Sequence, residues 1–284
     1  MFFLFLFKNK MKKKKQHIIP KCYLKDWCDP MTPCGQEPYL WLISKDGKVK
    51  RKRAPKKSFT ESEMYTIKLP DGRRELIIED TLSRIEGSFV RIVEEKIKKR
   101  LPFSKDERAK LCTFAAAMSV RTKSQQENFR DTFGKLLMPE YAHQIVMSYV
   151  LKLMPPMLYQ MSLAIFETND DLGFITSDSP CVLFNPEMYK WPPAYRNPGL
   201  GQEKIEVRLP LTPHHLLLFS HSNIRGYLSV PTEFVDEINR IARICCSEYF
   251  ISWKGDTRPI WFHILEMPND AWEKQQKKYS KEEI

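Results

Sequence analysis

The chain keeps its helical and its β-type patterning apart. Ile78, Leu82, Ile85, Phe89, Ile92, Val93 and Ile97 recur at three- and four-residue steps, which lays them along one face of a helix. The basic cluster from Lys96 to Arg100 suits the negative end of that helix. Ser104, followed three residues later by Glu107, reads as a capping box opening a second helix to about Arg121. In it Ala115, Ala116 and Ala117 leave room for the close approach of another helix. A third helix is expected from about Gln125 to Leu151, with Pro139 a point of interruption. Pro155-Pro156 is expected to end the helical region, because proline has no N–H to give.

The flanks read differently. Tyr39 to Ile43 is densely apolar, Asp46-Gly47 is a hairpin turn signal, and the return run from Lys48 to Lys57 is basic, so a β-hairpin with a solvated outer strand is expected. A short strand from Met64 to Leu69 and a turn at Asp71-Gly72 follow. Beyond Met161 come short β-type runs at Leu163–Thr168, Gly173–Thr176, Cys181–Phe184, Ile205–Leu209 and Leu216–Ser220. A helix from about Thr232 to Ser247 and a strand from Tyr249 to Trp253 complete the pattern. Strands and helices do not alternate, which argues against a doubly wound sheet. The pattern predicts an α+β fold, with a central helical bundle packed against a mixed or antiparallel sheet formed from the N- and C-terminal β segments. Residues 16–265 are expected to form one domain, with residue 155 as the point where two subdomains would divide. Residues 1–15 are a basic tail and 266–284 a polar one.

Hydrophobic residues at 42%, among them 17 Phe, 11 Tyr and 6 Trp, supply a core and exclude global disorder. Ten Gly against 20 Pro argue against a glycine-rich nucleotide fold. The net charge of +11 is local: Lys8 to Lys15 holds six lysines and Lys48 to Lys57 seven cations, and without these thirteen the balance is −2. Seven cysteines are an odd set, which suits a reduced, cytoplasmic protein. The apolar run Phe2–Phe7 is far shorter than the roughly 20 residues a spanning helix needs, so no membrane partner is expected. Met11, directly before Lys12–Lys15, is an alternative start to Met1.

Gln16-His17-Ile18-Ile19-Pro20, followed by Tyr23-Leu24 and Trp27, resembles the opening segment of the domain-of-unknown-function 4238 family. The resemblance continues through the helix start Glu79–Glu86, Arg121-Thr122, Phe174-Ile175-Thr176-Ser177-Asp178-Ser179-Pro180 and Pro210-Leu211-Thr212-Pro213. It covers most of residues 16 to 253. It implies the extent of a domain and no particular reaction. Cys22, Cys28 and Cys34 and the lysine run stand outside the pattern.

Several polar residues carry candidate chemistry. His17 titrates near neutral pH and reads as a general base or metal ligand. Asp178, in a tight turn between two strands, and Glu86 read as metal-binding carboxylates. Arg121, with its bidentate fork, would sit on a scissile phosphate. If these meet in one cleft, metal-assisted hydrolysis of nucleic acid with Mg²⁺ or Mn²⁺ is the expected chemistry. The structural alternative has Ser177 and Asp178 capping their own turn and Arg121 pairing with Glu79 or Glu86. The functional alternative is a non-catalytic module that binds nucleic acid or protein. It would use Lys50, Arg51, Lys52 and Arg53, with Tyr39, Trp41 or Tyr65 to stack a base, and the proline-rich aromatic loop 185–204. His17, Cys22, Cys28 and Cys34 lack the C-x-x-C knuckle that usually seeds a zinc site.

Overall fold

A computed structural model describes residues 15–68, 73–133, 141–188 and 198–263. Residues 1–14 of the basic tail, the polar tail, the Met11 start, the Asp71-Gly72 turn, Pro139 and the centre of the aromatic loop lie outside those residues, while Lys15, expected in the tail, opens the first strand.

The elements run β1 (Lys15–His17), α1 (Lys21–Lys25), β2 (Leu40–Ser44), β3 (Lys50–Arg53), β4 (Thr60–Ser62), β5 (Ile67–Lys68) and β6 (Arg74–Glu75). Four helices follow: α2 (Ile77–Ile92), continued by a π-helical turn over Val93–Ile97, then α3 (Lys105–Val120), α4 (Lys123–Phe133) and α5 (Ala142–Gln160). The last part holds β7 (Ser162–Glu167), β8 (Thr176–Ser177), β9 (Val182–Phe184), β10 (Glu206–Thr212), β11 (His215–Ser220), β12 (Gly226–Ser229), α6 (Thr232–Cys245) and β13 (Tyr249–Ser252). The α+β fold is as expected. Its β material is divided over two main sheets. The four-stranded sheet, in the order β3-β2-β13-β8, joins the N- and C-terminal flanks and is antiparallel throughout. The five-stranded sheet, β12-β7-β11-β10-β9, comes wholly from the C-terminal half and is antiparallel except where β12 runs parallel to β7. No described helix is long and apolar enough to cross a membrane.

The expected capping box is present: the Ser104 hydroxyl accepts from the Glu107 amide and the Glu107 carboxylate accepts from the Ser104 amide. α3 is the centre of the bundle. Its Ala115, Ala116 and Ala117 are fully buried, which lets α5 pack on it. Phe114 of α3 stacks on Phe89 of α2 with ring centroids 3.7 Å apart. Tyr23 and Trp27, the aromatic anchors of the N-terminal segment, lie wholly buried, with the Tyr23 ring tilted against Trp27, Phe89 and Phe114. One contiguous core runs from this segment through the bundle to the five-stranded sheet.

The helix expected over 125–151, with Pro139 its point of interruption, is divided into α4 and α5. Two expectations change. Pro155 and Pro156 do not end the helical region; α5 runs through them to Gln160. The lost amides of Pro155 and Pro156 would have served the carbonyls of Leu151 and Lys152, of which Lys152 is a solvent-exposed residue. Meanwhile Met154 and Leu158, buried on the other side, hold the turn against the core. The strand expected at Gly173–Thr176 shrinks to Thr176–Ser177, because the backbone before it is bonded by a side chain. Asn239 of α6, fully buried, accepts from the Ile175 amide at 2.9 Å and donates to the Gly173 carbonyl at 2.8 Å.

A buried histidine makes the fold pH-dependent. His143 is 4% exposed, its Nε2 donates to the Val120 carbonyl at the end of α3, and its Nδ1 has no partner. Burial holds its pKa below the ordinary 6.5. Below pH 6.5 the unfolded chain therefore takes up a proton that the folded chain refuses, and stability falls with pH. We expect thermal melts of the wild type to drop between pH 7 and 5.5, a slope to which His17 and His215 also contribute because burial lowers their pKa values too, and His143→Gln to reduce it. An equal slope in the variant would remove His143 from the account.

Candidate functional site

The family-like motifs converge, and their polar groups mostly bind one another. Gln16 is 2% exposed. Its side-chain amide donates to Thr66 Oγ1 at 3.1 Å and Glu79 Oε2 at 2.9 Å, and its carbonyl accepts the Tyr65 amide at 2.7 Å. Arg121, the C-cap of α3 and 2% exposed, sends Nη1 to Glu86 Oε1 at 2.8 Å, Nη2 to the His17 carbonyl at 2.8 Å and Nε to the Tyr65 hydroxyl at 3.3 Å. Burial works against its charge, but Tyr65 and Glu86 outweigh it and raise its pKa above the ordinary value. The Tyr23 hydroxyl donates to the Pro210 carbonyl at 2.6 Å and lies 2.5 Å from the Thr176 hydroxyl, tying three motif segments together at one buried point.

His17 is half-buried. Burial lowers its pKa from 6.5 despite a bond to the Pro55 backbone, and its Nε2 is enclosed without a hydrogen-bond partner. Glu86, with Oε1 on Arg121, holds Oε2 4.0 Å from Cys22 Sγ. Asp178 makes its bonds elsewhere. Its Oδ1 accepts the Ser247 amide at 2.7 Å, and its Oδ2 accepts those of Glu248 at 2.6 Å and Tyr249 at 2.9 Å, which caps the start of β13. The structure thus groups His17, Glu86 and Arg121, while the Asp178 carboxylate faces a backbone turn. Of the two residues expected to cap their own turn, Ser177 does so, its Oγ accepting the Ser179 amide at 3.0 Å, whereas the Asp178 carboxylate serves the backbone before β13. Among the described residues no three His, Cys, Asp or Glu side chains are placed to hold a metal ion. Cys28 Sγ points instead to the Leu24 carbonyl.

The basic hairpin stands as expected at the sheet edge, with all four residues of β3 exposed. Its aromatic neighbours do not form an open platform. Lys52 Nζ lies 4.4 Å from the Tyr39 ring centre and 4.7 Å from that of Trp41, and Asp29 fixes both rings, accepting from Trp41 Nε1 at 2.7 Å and the Tyr39 hydroxyl at 3.0 Å. The Gly255 backbone covers Trp41 so closely that a Cβ there would fall 2.7 Å from its ring atoms.

A cleft of about 400 Å³ opens beside this hairpin. Arg53 and Lys57 line it on one side, Lys123 and Ser124 of α4 on another, and Asp178 and Tyr249 on a third. Ile18 of the opening motif also lines it, so three motif segments border one cavity: the opening segment, the chain just beyond Arg121-Thr122, and the Asp178 turn. The cleft could not be read from the sequence. Lys57 and Lys123 are 66 positions apart and share no pattern; the nearest signal was the position of Lys123 directly after Arg121-Thr122. No curated protein and no solved structure matches the chain. One family does, over residues 15–256, and the chain belongs to it: the family described as protein of unknown function, DUF4238.

Proposed function

We propose that the chain is a non-catalytic binding module that takes a polyanionic partner, nucleic acid or acidic protein. Its binding surface is formed by β3, the turn Pro55–Lys57 and the first turn of α4. The observation that carries this reading is the set Arg53, Lys57 and Lys123: three exposed cations with no carboxylate in ion-pair range among the described residues, on the rim of a cleft that Glu61, Glu127, Asp178 and Glu248 also line, so the anion is read on the β3 side of that cleft rather than in its interior. Nearby cations differ. Lys56 pairs with Glu37 at 2.6 Å, and Lys98 reaches Asp26 at 3.0 Å and Glu94 at 2.6 Å. Cations without an ion-pair partner attract an incoming anion more strongly than paired ones, and releasing that anion's counterions drives binding.

Metal-assisted hydrolysis fits the same residues less well. It would ask Arg121 to hold a phosphate, yet all three of its bonding nitrogens serve Glu86, His17 and Tyr65 in a site closed to solvent. It would ask Glu86 and Asp178 to share a metal, yet one ion-pairs with that arginine and the other accepts three backbone amides.

The test is a titration of labelled single-stranded oligonucleotide and of labelled polyglutamate with the protein at several salt concentrations. At least one should bind, with affinity falling steeply as salt rises. Arg53→Ser, Lys57→Ser and Lys123→Ser together should flatten a plot of log affinity against log salt by about two to three, near 0.7–0.9 per lost contact. Salt-independent binding, or Mg²⁺-dependent cleavage of the oligonucleotide that His17→Ala abolishes, would overturn the proposal.

A further inference from the structure

β3 is paired with β2 alone, and among the described residues nothing covers its other side. The Ser44 amide bonds the Val49 carbonyl at 2.9 Å, so positions 44 and 49 are a hydrogen-bonded pair. With Ile43 opposite Lys50, Leu42 opposite Arg51 and Trp41 opposite Lys52, the alternation of an antiparallel ladder gives the inward bonds to Arg51 and Arg53. The amides and carbonyls of Lys50 and Lys52 therefore face outward. The outer edge offers two donors and two acceptors in strand geometry, on a strand of four consecutive cations.

A lysine-bearing edge is a familiar guard against pairing between copies, since a second copy of β3 would bring the same charges. The same charges select a partner of opposite sign. We propose that β3 is a strand-addition site for an extended acidic peptide segment, which joins the four-stranded sheet as a fifth strand beside Lys50–Arg53. This rests on the polyanion reading above and chooses the partner class. Two observations favour a peptide over nucleic acid. The edge presents acceptors as well as donors, and a phosphodiester backbone has no donors to satisfy them, whereas a peptide strand satisfies both. The rings of Tyr39 and Trp41 carry Lys52, and the Gly255 backbone covers Trp41, so the base stacking that supports single-strand binding has no platform there. Side chains at alternate positions of the added strand would face either the Arg51 and Arg53 side, shared with Leu40 and Leu42, or the Lys50 and Lys52 side, shared with Trp41 and Ile43.

The experiment uses the full chain and four probes in fluorescence anisotropy. They are an octapeptide of alternating glutamate and valine, the same peptide N-methylated on its odd amides, the same peptide N-methylated on its even amides, and an eight-residue single-stranded oligonucleotide. Strand addition requires the amides of only one alternate set. The unmodified peptide should bind, one methylated peptide should bind at least tenfold more weakly, and the other should bind nearly as well as the parent. Lys50→Pro, which removes an outward amide and leaves the ladder to β2, should weaken binding beyond Lys50→Gln. Equal binding of all three peptides means charge alone is read and overturns the proposal. Binding of the oligonucleotide without the peptides also overturns it while leaving the polyanion reading standing; binding of no probe removes both.

Discussion

Replacing Arg121 with methionine should lower the unfolding free energy by about 3–5 kcal/mol, the range for removing one partner from a buried ion pair. The guanidinium is 2% exposed, and its three bonds hold the opening segment to the bundle: the His17 carbonyl, the Glu86 carboxylate and the Tyr65 hydroxyl all lose a donor together. Methionine keeps most of the stem volume, so the loss reports the polar network rather than a cavity. Urea unfolding of Arg121→Met, Glu86→Met and the double variant measures it. The double variant should be more stable than Arg121→Met alone, because it no longer leaves a half-buried carboxylate without its cation. A single-variant loss under about 1 kcal/mol would show that the opening segment is held by its apolar anchors, Tyr23, Leu24 and Trp27, and not by this arginine. Because the proposed binding surface lies on other residues, folded Arg121→Met protein at low temperature should still bind the acidic peptide.

Gly173→Ala should be of similar size, about 2–6 kcal/mol, for two reasons that add. The residue has φ +61°, in the left-handed region where a side chain costs about 1–3 kcal/mol. A Cβ there would also fall 2.2 Å from the Pro213 carbonyl oxygen, a backbone atom that cannot swing aside, and overpacking of this kind typically costs about 1–3 kcal/mol. The clash sits where two motif segments meet, since the Phe174 amide bonds that same carbonyl at 2.7 Å and Asn239 grips the Gly173 carbonyl from the other side. The contrast is Gly87→Ala. That position is helical and has open space around it, so alanine there should be neutral or stabilising by up to about 1 kcal/mol. Thermal melts of the two variants side by side make the comparison. Equal melting temperatures would mean that the 173–175 segment moves freely enough to relieve the contact.

Local physics made much of the architecture legible. The capping box at Ser104, the three- and four-residue steps of α2 and the Asp46-Gly47 hairpin depend on neighbours in sequence, and each stands in the structure as the pattern predicts. So does the family membership, which rests on short motifs in a row. What the sequence could not decide is what those motifs do. Gln16, Arg121 and Thr176 are polar in any reading; only the fold brings Gln16 to Glu79, Arg121 to Glu86 and Tyr23 to Thr176, at separations of 63, 35 and 153 residues. The same holds for α5, where Pro155-Pro156 reads locally as a stop but tertiary packing of Met154 and Leu158 overrides it. It holds too for Trp41, whose exposure to a ligand depends on a glycine more than 200 positions away. Patterning determined the elements because each element's hydrogen bonds and buried face are local or periodic. Only the tertiary structure decided which polar groups are already satisfied by the chain and which, like Arg53, Lys57 and Lys123, have no ion-pair partner among the described residues, because satisfaction is a property of contacts that sequence distance does not encode.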